Sequence, residues 1–556
     1  MRNPERGSDT GKGMLAQAGI LAAAGIVVRI IGLLYRSPLT GIIGDEGNGY
    51  YNVAYNCYII ILLISAYSIP SAISKVIAAK LALGEERNAQ RIFHAALWYV
   101  LLVSGAFSLF VWFGAGLLTF GHSVTVLKVF SPTILFFGFL GVLRGYFQAR
   151  RTMVPTSVSQ IIEQIVNAVV SILAAWLFIR LADAAPGTTE RAVRGAVGSA
   201  MGTGAGVLAA LLFMIIVYLG KRKETLSRVL ADTDHRVDPM PEVLRTLFLT
   251  VTPFILSTFI YNFSTMLDQT IFQRILFHVR GVREEEIAVA YGIFSTKAVV
   301  IANIPIALSS ALSSAMMPGL AARFARRDAK GAADLVNRAL TATVLISIPC
   351  AAGLAVLARP VVFVLFPQRA SLEEASMLLT GIAVTVVFYS ISTVTNAVLQ
   401  GAGRMHLPVV NAAAALLIQG ALLAAQLLFT GMDNGALVIA VILYSGLMCV
   451  LNERSLRGVL EQRTDWGNIL KAPLLSTLIM AVCAFAIDRG LLFLLAFLPL
   501  GEYVRNLLAL LPTILLSIEI YGLTLIHFGG VTEETLRSLP RGAAIVRLMK
   551  KMRILR

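Results

Sequence analysis

The sequence predicts an all-α integral membrane protein with about 14 transmembrane helices. Three observations predict it. Hydrophobic residues make up 57% of the 556 and charged residues only 14%, with a mean hydropathy of +0.78, which is too little charge to wet the surface of a soluble globule. Apolar runs of about 20 residues, long enough to cross the hydrocarbon layer, recur from end to end. The second half also carries a worn copy of the first, so the array reads as a duplicated transporter.

The runs fall near 15–36, 50–72, 93–118, 127–149, 156–180, 195–219, 246–270, 288–319, 335–358, 375–399, 407–430, 434–452, 472–494 and 503–528. Span one is full length with Arg29 near its middle, so it reads as a membrane anchor rather than a cleavable signal. On it Gly25, Arg29, Gly32 and Arg36 follow i, i+4, i+7, i+11 spacing and share a face. A mid-span arginine is costly unless it meets water or a partner, so this face is expected to border a hydrated cavity; the competing reading is snorkelling, or pairing with one carboxylate for packing.

Spans two and eight, "YYNVAYNCYIIILLISAYSIPSAISK" and "AYGIFSTKAVVIANIPIALSSALSS", align with Tyr51 on Tyr291, Ile61 on Ile301 and Ser74 on Ser314. Spans four and five are joined by "QARRTMVP" (Gln148–Pro155), spans ten and eleven by "QGAGRMHLP" (Gln400–Pro408), and Gln164 and Gln419 follow in the next span. Span five places Thr156, Gln160, Glu163, Asn167 and Ser171 on one face, which suits either a polar cavity wall or hydrogen bonding between helices. Span seven supplies Asn262, Thr265, Asp268 and Gln269; span eight supplies Lys297 and Asn303 ahead of Pro305, which implies a kink or a break in backbone bonding. Spans thirteen and fourteen lie outside the duplicated twelve.

The expected organisation is an N-terminal six-helix lobe over 1–220, a cytoplasmic linker at 221–245, a C-terminal lobe over 246–457, two further helices over 458–530, and a basic amphipathic tail at 531–556 lying on the cytoplasmic leaflet. With the N-terminus taken as cytoplasmic, about 33 of the 47 Lys and Arg fall on the inner side and about 12 on the outer, so both ends are expected inside. Arg144, Arg150 and Arg151 are counted in the cytoplasmic loop after span four, and the first external loop carries Asp45 and Glu46. The net charge of +16 thus reports orientation, not nucleic-acid binding. The four cysteines stand singly in apolar stretches and read as packing residues. No phosphate loop, HExxH or histidine ligand spacing is present, and the longest loop is too short for a catalytic domain, so no enzyme and no cofactor is expected.

"VRIIGLLYR" in span one, "GDEGNGYYNVAY" opening span two, "MMPGLAARF" closing span eight and "LQGAGRMHLP" before span eleven resemble the multidrug/oligosaccharidyl-lipid/polysaccharide exporter superfamily, in the branch of stage V sporulation protein B and YtgP, related to the lipid II flippase MurJ. The resemblance covers essentially the whole chain. It implies two six-helix lobes in a V around a central cavity plus two C-terminal helices, in a bacterial cytoplasmic membrane. It implies as substrate an undecaprenyl-pyrophosphate-linked saccharide, lipid II or a relative, carried from inner to outer leaflet by alternating access, and a monomer among membrane lipids is expected. Arg29 with Gly32 matches a functional pattern of the family, and Arg36, Lys297 and Glu163 complete the expected substrate set. Gly49 stands where relatives carry an aspartate, and Lys297 precedes Pro305 by eight residues where the family arginine precedes its proline by five. Some relatives bind sodium in the second lobe; Asp268 and Asn411 are the matching side chains here, with Na+ or H+ as possible coupling ion. The alternative function is an ion-coupled drug or metabolite exporter of the same superfamily, which the cationic face disfavours.

Overall fold

The computed structural model describes residues 24–530 except 26, 68, 183, 184, 186, 187, 233–237, 327 and 461–463, and for some others, chiefly 250–262, the backbone alone. The start of span one, the side chain of Asn262 and the tail 531–556 lie outside the described residues. Among the described residues there is no strand. Among the described residues eleven helices are long and apolar enough to cross a membrane, or twelve if the bent pair Leu372–Ile382 with Thr385–Gly401, at 43°, is one span. The chain is therefore a multi-pass membrane protein. It does so because a backbone in hydrocarbon must satisfy its own hydrogen bonds, and these runs close them within each helix.

Two compact units divide the chain, Met1–Gly292 and Ile293–Arg556. In the first, helical residues 27–34 lead into α1 (Arg36–Leu62), α2 (Ile69–Ala82), α3 (Glu86–Leu118), α4 (Ser123–Ala149), α5 (Val154–Leu181), α6 (Thr189–Gly220), the short α7 (Arg222–Leu230), α8 (Met240–Arg274) and α9 (Glu284–Gly292). The second holds α10 (Val300–Ala325), α11 (Ala329–Val356), α12 (Ala358–Leu365), α13 (Leu372–Ile382), α14 (Thr385–Gly401), α15 (His406–Phe429), α16 (Asn434–Leu460), α17 (Trp466–Leu495) and α18 (Glu502–His527). Span seven, expected to open the second lobe, is α8, which packs on α1, α2 and α3 of the first unit.

The first unit is centred on α1, α2, α3, α4 and α6, where Tyr58 stacks on Phe130 at 4.8 Å and Phe93 meets Tyr146 at the same distance. Its most intimate pair is α5 with α6. A Cβ built on Gly198, Gly202 or Gly206 would fall 2.4 Å from Ala175 N, 2.1 Å from Ser171 Oγ and 2.4 Å from Glu163 O, so hydrogen at these positions is what lets the backbones touch. In the second unit α10, α11, α14, α16 and α17 share a core. The added α18 is fastened by Tyr521 donating to Leu345 O at 2.9 Å and Tyr503 to Val364 O at 3.3 Å.

Both copies of the proline signature fold as the same helix-ending turn. Arg151 N–H donates to Gln148 O and Thr152 N–H to Phe147 O; Gly403 N–H donates to Gln400 O and Arg404 N–H to Leu399 O. Each turn passes through a left-handed residue, Arg151 at φ 58° and Gly403 at φ 75°, as this helix ending requires. Spans two and eight also share a device, a π-helical stretch (Leu63–Tyr67 and Ile293–Val299) followed by Ile-Pro. Ile69-Pro70 and Ile304-Pro305 lie 235 residues apart, so this stretch pairs five residues away from the offset of 240 that the tyrosines suggest. The kink or break expected at Pro305 is not found there: α10 runs unbroken through Pro305, and the π stretch ends at Val299.

Two loop assignments are corrected. Residues 37–49, read as an external loop, are helical on both sides of a break at Gly44 (φ 73°, ψ 179°), which Asn48 spans by donating to Thr40 Oγ1 at 3.0 Å and Gly44 O at 2.9 Å. Arg144, counted with the cytoplasmic loop although span four was expected to reach 149, lies inside α4 and is buried.

Candidate substrate and ion sites

Span one presents its cations unequally. Arg29 is exposed and Arg36 half-buried, and among the described residues neither has a carboxylate within ion-pair distance. Gly32 faces Gln164, whose Nε2 would lie 3.2 Å from an added Cβ, so a larger residue there would press on α5; Gly25 has open space. Gly32 thus lets span one lie against α5 while Arg29 stays uncovered.

The polar face of span five is divided. Glu163 accepts from Arg144 Nη2 at 2.7 Å, and Arg144 Nε donates to Ser159 Oγ at 2.9 Å. With Arg144 7% exposed in its side chain and Glu163 25%, the pair neutralises a cation that α4 would otherwise bury alone. Further along, Ser171 donates to Asn167 Oδ1 at 2.9 Å and to Ser199 O at 3.1 Å, and Thr203 joins Asn167 to the Tyr51 hydroxyl. Most of this face is spent between helices of the first unit; Glu163 keeps a part-exposed edge.

Asp268 and Gln269 are buried on α8. Gln269 donates to Val53 O at 3.1 Å, and Asn56 donates to Gln269 Oε1 and to the Tyr291 hydroxyl, both at 2.8 Å. This node ties α1, α8 and α9 together, and Asn56 was missed in sequence although it is an amide in an apolar run.

In the second unit Lys297 is 1% exposed and donates to Ser371 Oγ at 2.5 Å, just ahead of α13. Lys297 lies within the π stretch Ile293–Val299. Asn411 donates to Asn452 Oδ1 at 2.9 Å and Ser455 Oγ at 3.0 Å, and Asn452 donates on to Asn396 Oδ1 at 2.7 Å, giving a buried amide ladder across α14, α15 and α16. Asn396 and Asn452 are further polar residues that the sequence reading passed over. Asp268 and Asn411 belong to different units, and among the described residues no group of three or more His, Cys, Asp or Glu side chains could hold a metal ion. Outside the spans, Glu85 receives Lys80 at 2.8 Å and the Asn88 amide at 2.9 Å, and these donors hold its carboxyl below the usual range.

Residues 14–324, more than half the chain, match the profile of the family described as polysaccharide biosynthesis protein. The chain belongs to that family. Residues 253–425 also match the MatE family. Among curated relatives from Bacillus subtilis (strain 168), the lipid II flippase MurJ is 24% identical over 419 residues, covering 70% of this chain and 73% of that protein; stage V sporulation protein B is 28% identical over 306 residues, 54% and 57%. The uncharacterized membrane protein YabM is 22% identical across 96% of both chains. In structure, an inward-facing MATE multidrug resistance transporter superposes with TM-score 0.63 at 16% identity over 81% of this chain and 98% of that one. The inward closed MurJ flippase gives 0.61 at 15% identity over 91% and 97%. These likenesses establish the fold, and the superfamily that the motifs resembled is the one found. The curated MurJ relative is described as a flippase and the MATE neighbour as a multidrug resistance transporter.

Proposed function

We propose that this protein is a flippase that carries an undecaprenyl-pyrophosphate-linked cell-wall precursor, lipid II or a related lipid-linked oligosaccharide, from the inner to the outer leaflet by alternating access, with both termini cytoplasmic. The observation that carries this reading is the face of span one, on which Arg29 and Arg36 stand without a carboxylate partner among the described residues. Cations left so within a membrane span are stabilised by an anion that arrives, and a diphosphate needs several donors once it leaves bulk water. The family and the MurJ likeness support the same substrate class. Lys297 would add its charge only after leaving Ser371, and the part-exposed edge of Glu163 would meet the saccharide. An inside-negative potential favours outward movement of an anionic headgroup by roughly 2.3 kcal/mol per charge per 100 mV. Return of the empty carrier would take an inward Na+ or H+, for which the buried Asp268 is the candidate carboxylate.

The test is depletion in a host without redundant flippases, which should trap lipid-linked precursor on the inner leaflet. Arg29→Ala should fail to relieve that block although the protein inserts at normal levels, and Arg29→Lys should relieve it in part, because a spread cationic donor is needed there. The MatE match favours one other reading, an ion-coupled exporter of drugs or metabolites. Dye efflux with unchanged precursor sidedness would decide for it.

A further inference from the structure

Towards the expected outer side, α3 and α8 of the first unit leave a groove of about 200 Å3 between them. Leu117 and Leu118 line it from α3, and Phe263, Met266 and Leu267 from α8. Thr270 and Arg274 complete the α8 wall. Met266, Thr270 and Arg274 follow i, i+4, i+8 spacing, so one stripe of the helix changes from apolar to hydroxyl to cation on its way out. From Phe263 to Arg274 the helix rises about 16 Å, close to half of the roughly 30 Å hydrocarbon layer. The stripe therefore has the length and the order of a single leaflet, with the chain region first and the headgroup level last.

Beyond Arg274 the two helix ends are joined. Phe120 packs on Phe277 at 5.1 Å and on His278 at 6.0 Å, and such rings gather where membrane meets water. Thr270 donates its hydroxyl hydrogen to Met266 O at 2.7 Å, so that donor is already used. Arg274 is exposed, and among the described residues its side chain makes no ion pair or hydrogen bond. The donor that the groove still offers is thus the guanidinium at its rim. A volume of this size falls below the roughly 300–1,000 Å3 of small-molecule sites, so it suits a length of hydrocarbon chain better than a drug or a saccharide.

We propose that this groove binds an anionic phospholipid of the outer leaflet, with one acyl chain lying between α3 and α8 and the phosphate on Arg274. The single cation decides the class. A phosphodiester headgroup such as that of phosphatidylglycerol carries one negative charge, which one guanidinium matches while holding two of its oxygens. A lipid diphosphate needs several donors, of the kind proposed for span one. The bound chain supplies contact atoms to the facing walls and so fastens α8 to α3. The site does not depend on the cargo, and the orientation enters only in which leaflet supplies the lipid.

The test is native mass spectrometry of the full chain released from detergent micelles doped with phosphatidylglycerol or phosphatidylcholine. The tightest-held phosphatidylglycerol should be retained about fivefold better than phosphatidylcholine, the worth of one interfacial cation. Arg274→Gln should erase that preference and Arg274→Lys should keep most of it; both leave the exposed position polar and should insert like the parent. Phosphatidylglycerol with a photoreactive group midway along one chain should label the end of α3 at Leu117 and the α8 stretch from Phe263 to Thr270. Equal retention of the two lipids overturns the site, as does a preference that Arg274→Gln leaves intact. Label spread evenly over the lipid-facing helices also overturns it, as annular lipid only. Displacement of phosphatidylglycerol by one equivalent of undecaprenyl phosphate overturns the phospholipid assignment in favour of a polyprenyl carrier. No readout here involves transport, so failure of the flippase reading leaves the site standing and failure of the site leaves the flippase reading untouched.

Discussion

Arg144 and Glu163 show how a single side chain changes meaning once its neighbour is known. Removing one member of a buried ion pair leaves an uncompensated charge, so Glu163→Ala should lower stability by about 3 kcal/mol, read as an earlier thermal transition of the purified protein. Arg144→Met combined with Glu163→Leu should recover most of that loss. If Glu163 also meets substrate, the double variant will be stable and still transport poorly; recovery of both would make the pair purely structural. The polar face holding Glu163 was legible from its spacing, but its partner was not, because Arg144 sits within six residues of a helix end and the charge pattern drew it into the loop. Gly49 carries a similar lesson: its departure from the family aspartate has a physical reason in Ala288 O, 1.9 Å from where a Cβ would be.

At the scale of the helix, the α5–α6 pair is governed by what it lacks. Gly202→Leu would drive a side chain into the Ser171 backbone and should cost about 3 kcal/mol or prevent stable insertion, whereas Gly116→Leu, with open space around it, should be near neutral. Thermal stability in detergent compares the two directly. Helix positions were readable because apolar run length tracks membrane thickness, and α15, α17 and α18 begin and end within a few residues of the expected spans. The stretch 37–49 was not, since its glycines and carboxylates have a loop composition while Gly44 alone breaks the helix. No π stretch was foreseen, neither these two nor the one at Ile275–Val279, because a one-residue widening leaves no compositional trace.

For the molecule as a whole, orientation is the property on which the mechanism turns. A cysteine replacing the exposed Arg283 should be labelled from outside intact cells, and one replacing the exposed Lys223 only after permeabilisation; the opposite result would invert the direction of transport. The duplication was legible at the two proline turns, where hydrogen-bond demands hold the spacing, and blurred in spans two and eight, where any apolar residue satisfies the lipid. The placement of α8 with the first unit was invisible, since packing partners are chosen by contacts such as Gln269 with Val53 and not by order along the chain. The π stretches of spans two and eight also bear on how such a chain can evolve. Removing one residue from an ordinary membrane helix turns everything beyond it by about 100° and ruins its packing. Within Leu63–Tyr67 or Ile293–Val299 the same deletion would relax a wide turn to an α turn and leave the flanking helices in register, so these two segments are where lineages can gain or lose a codon inside the bilayer without losing the fold.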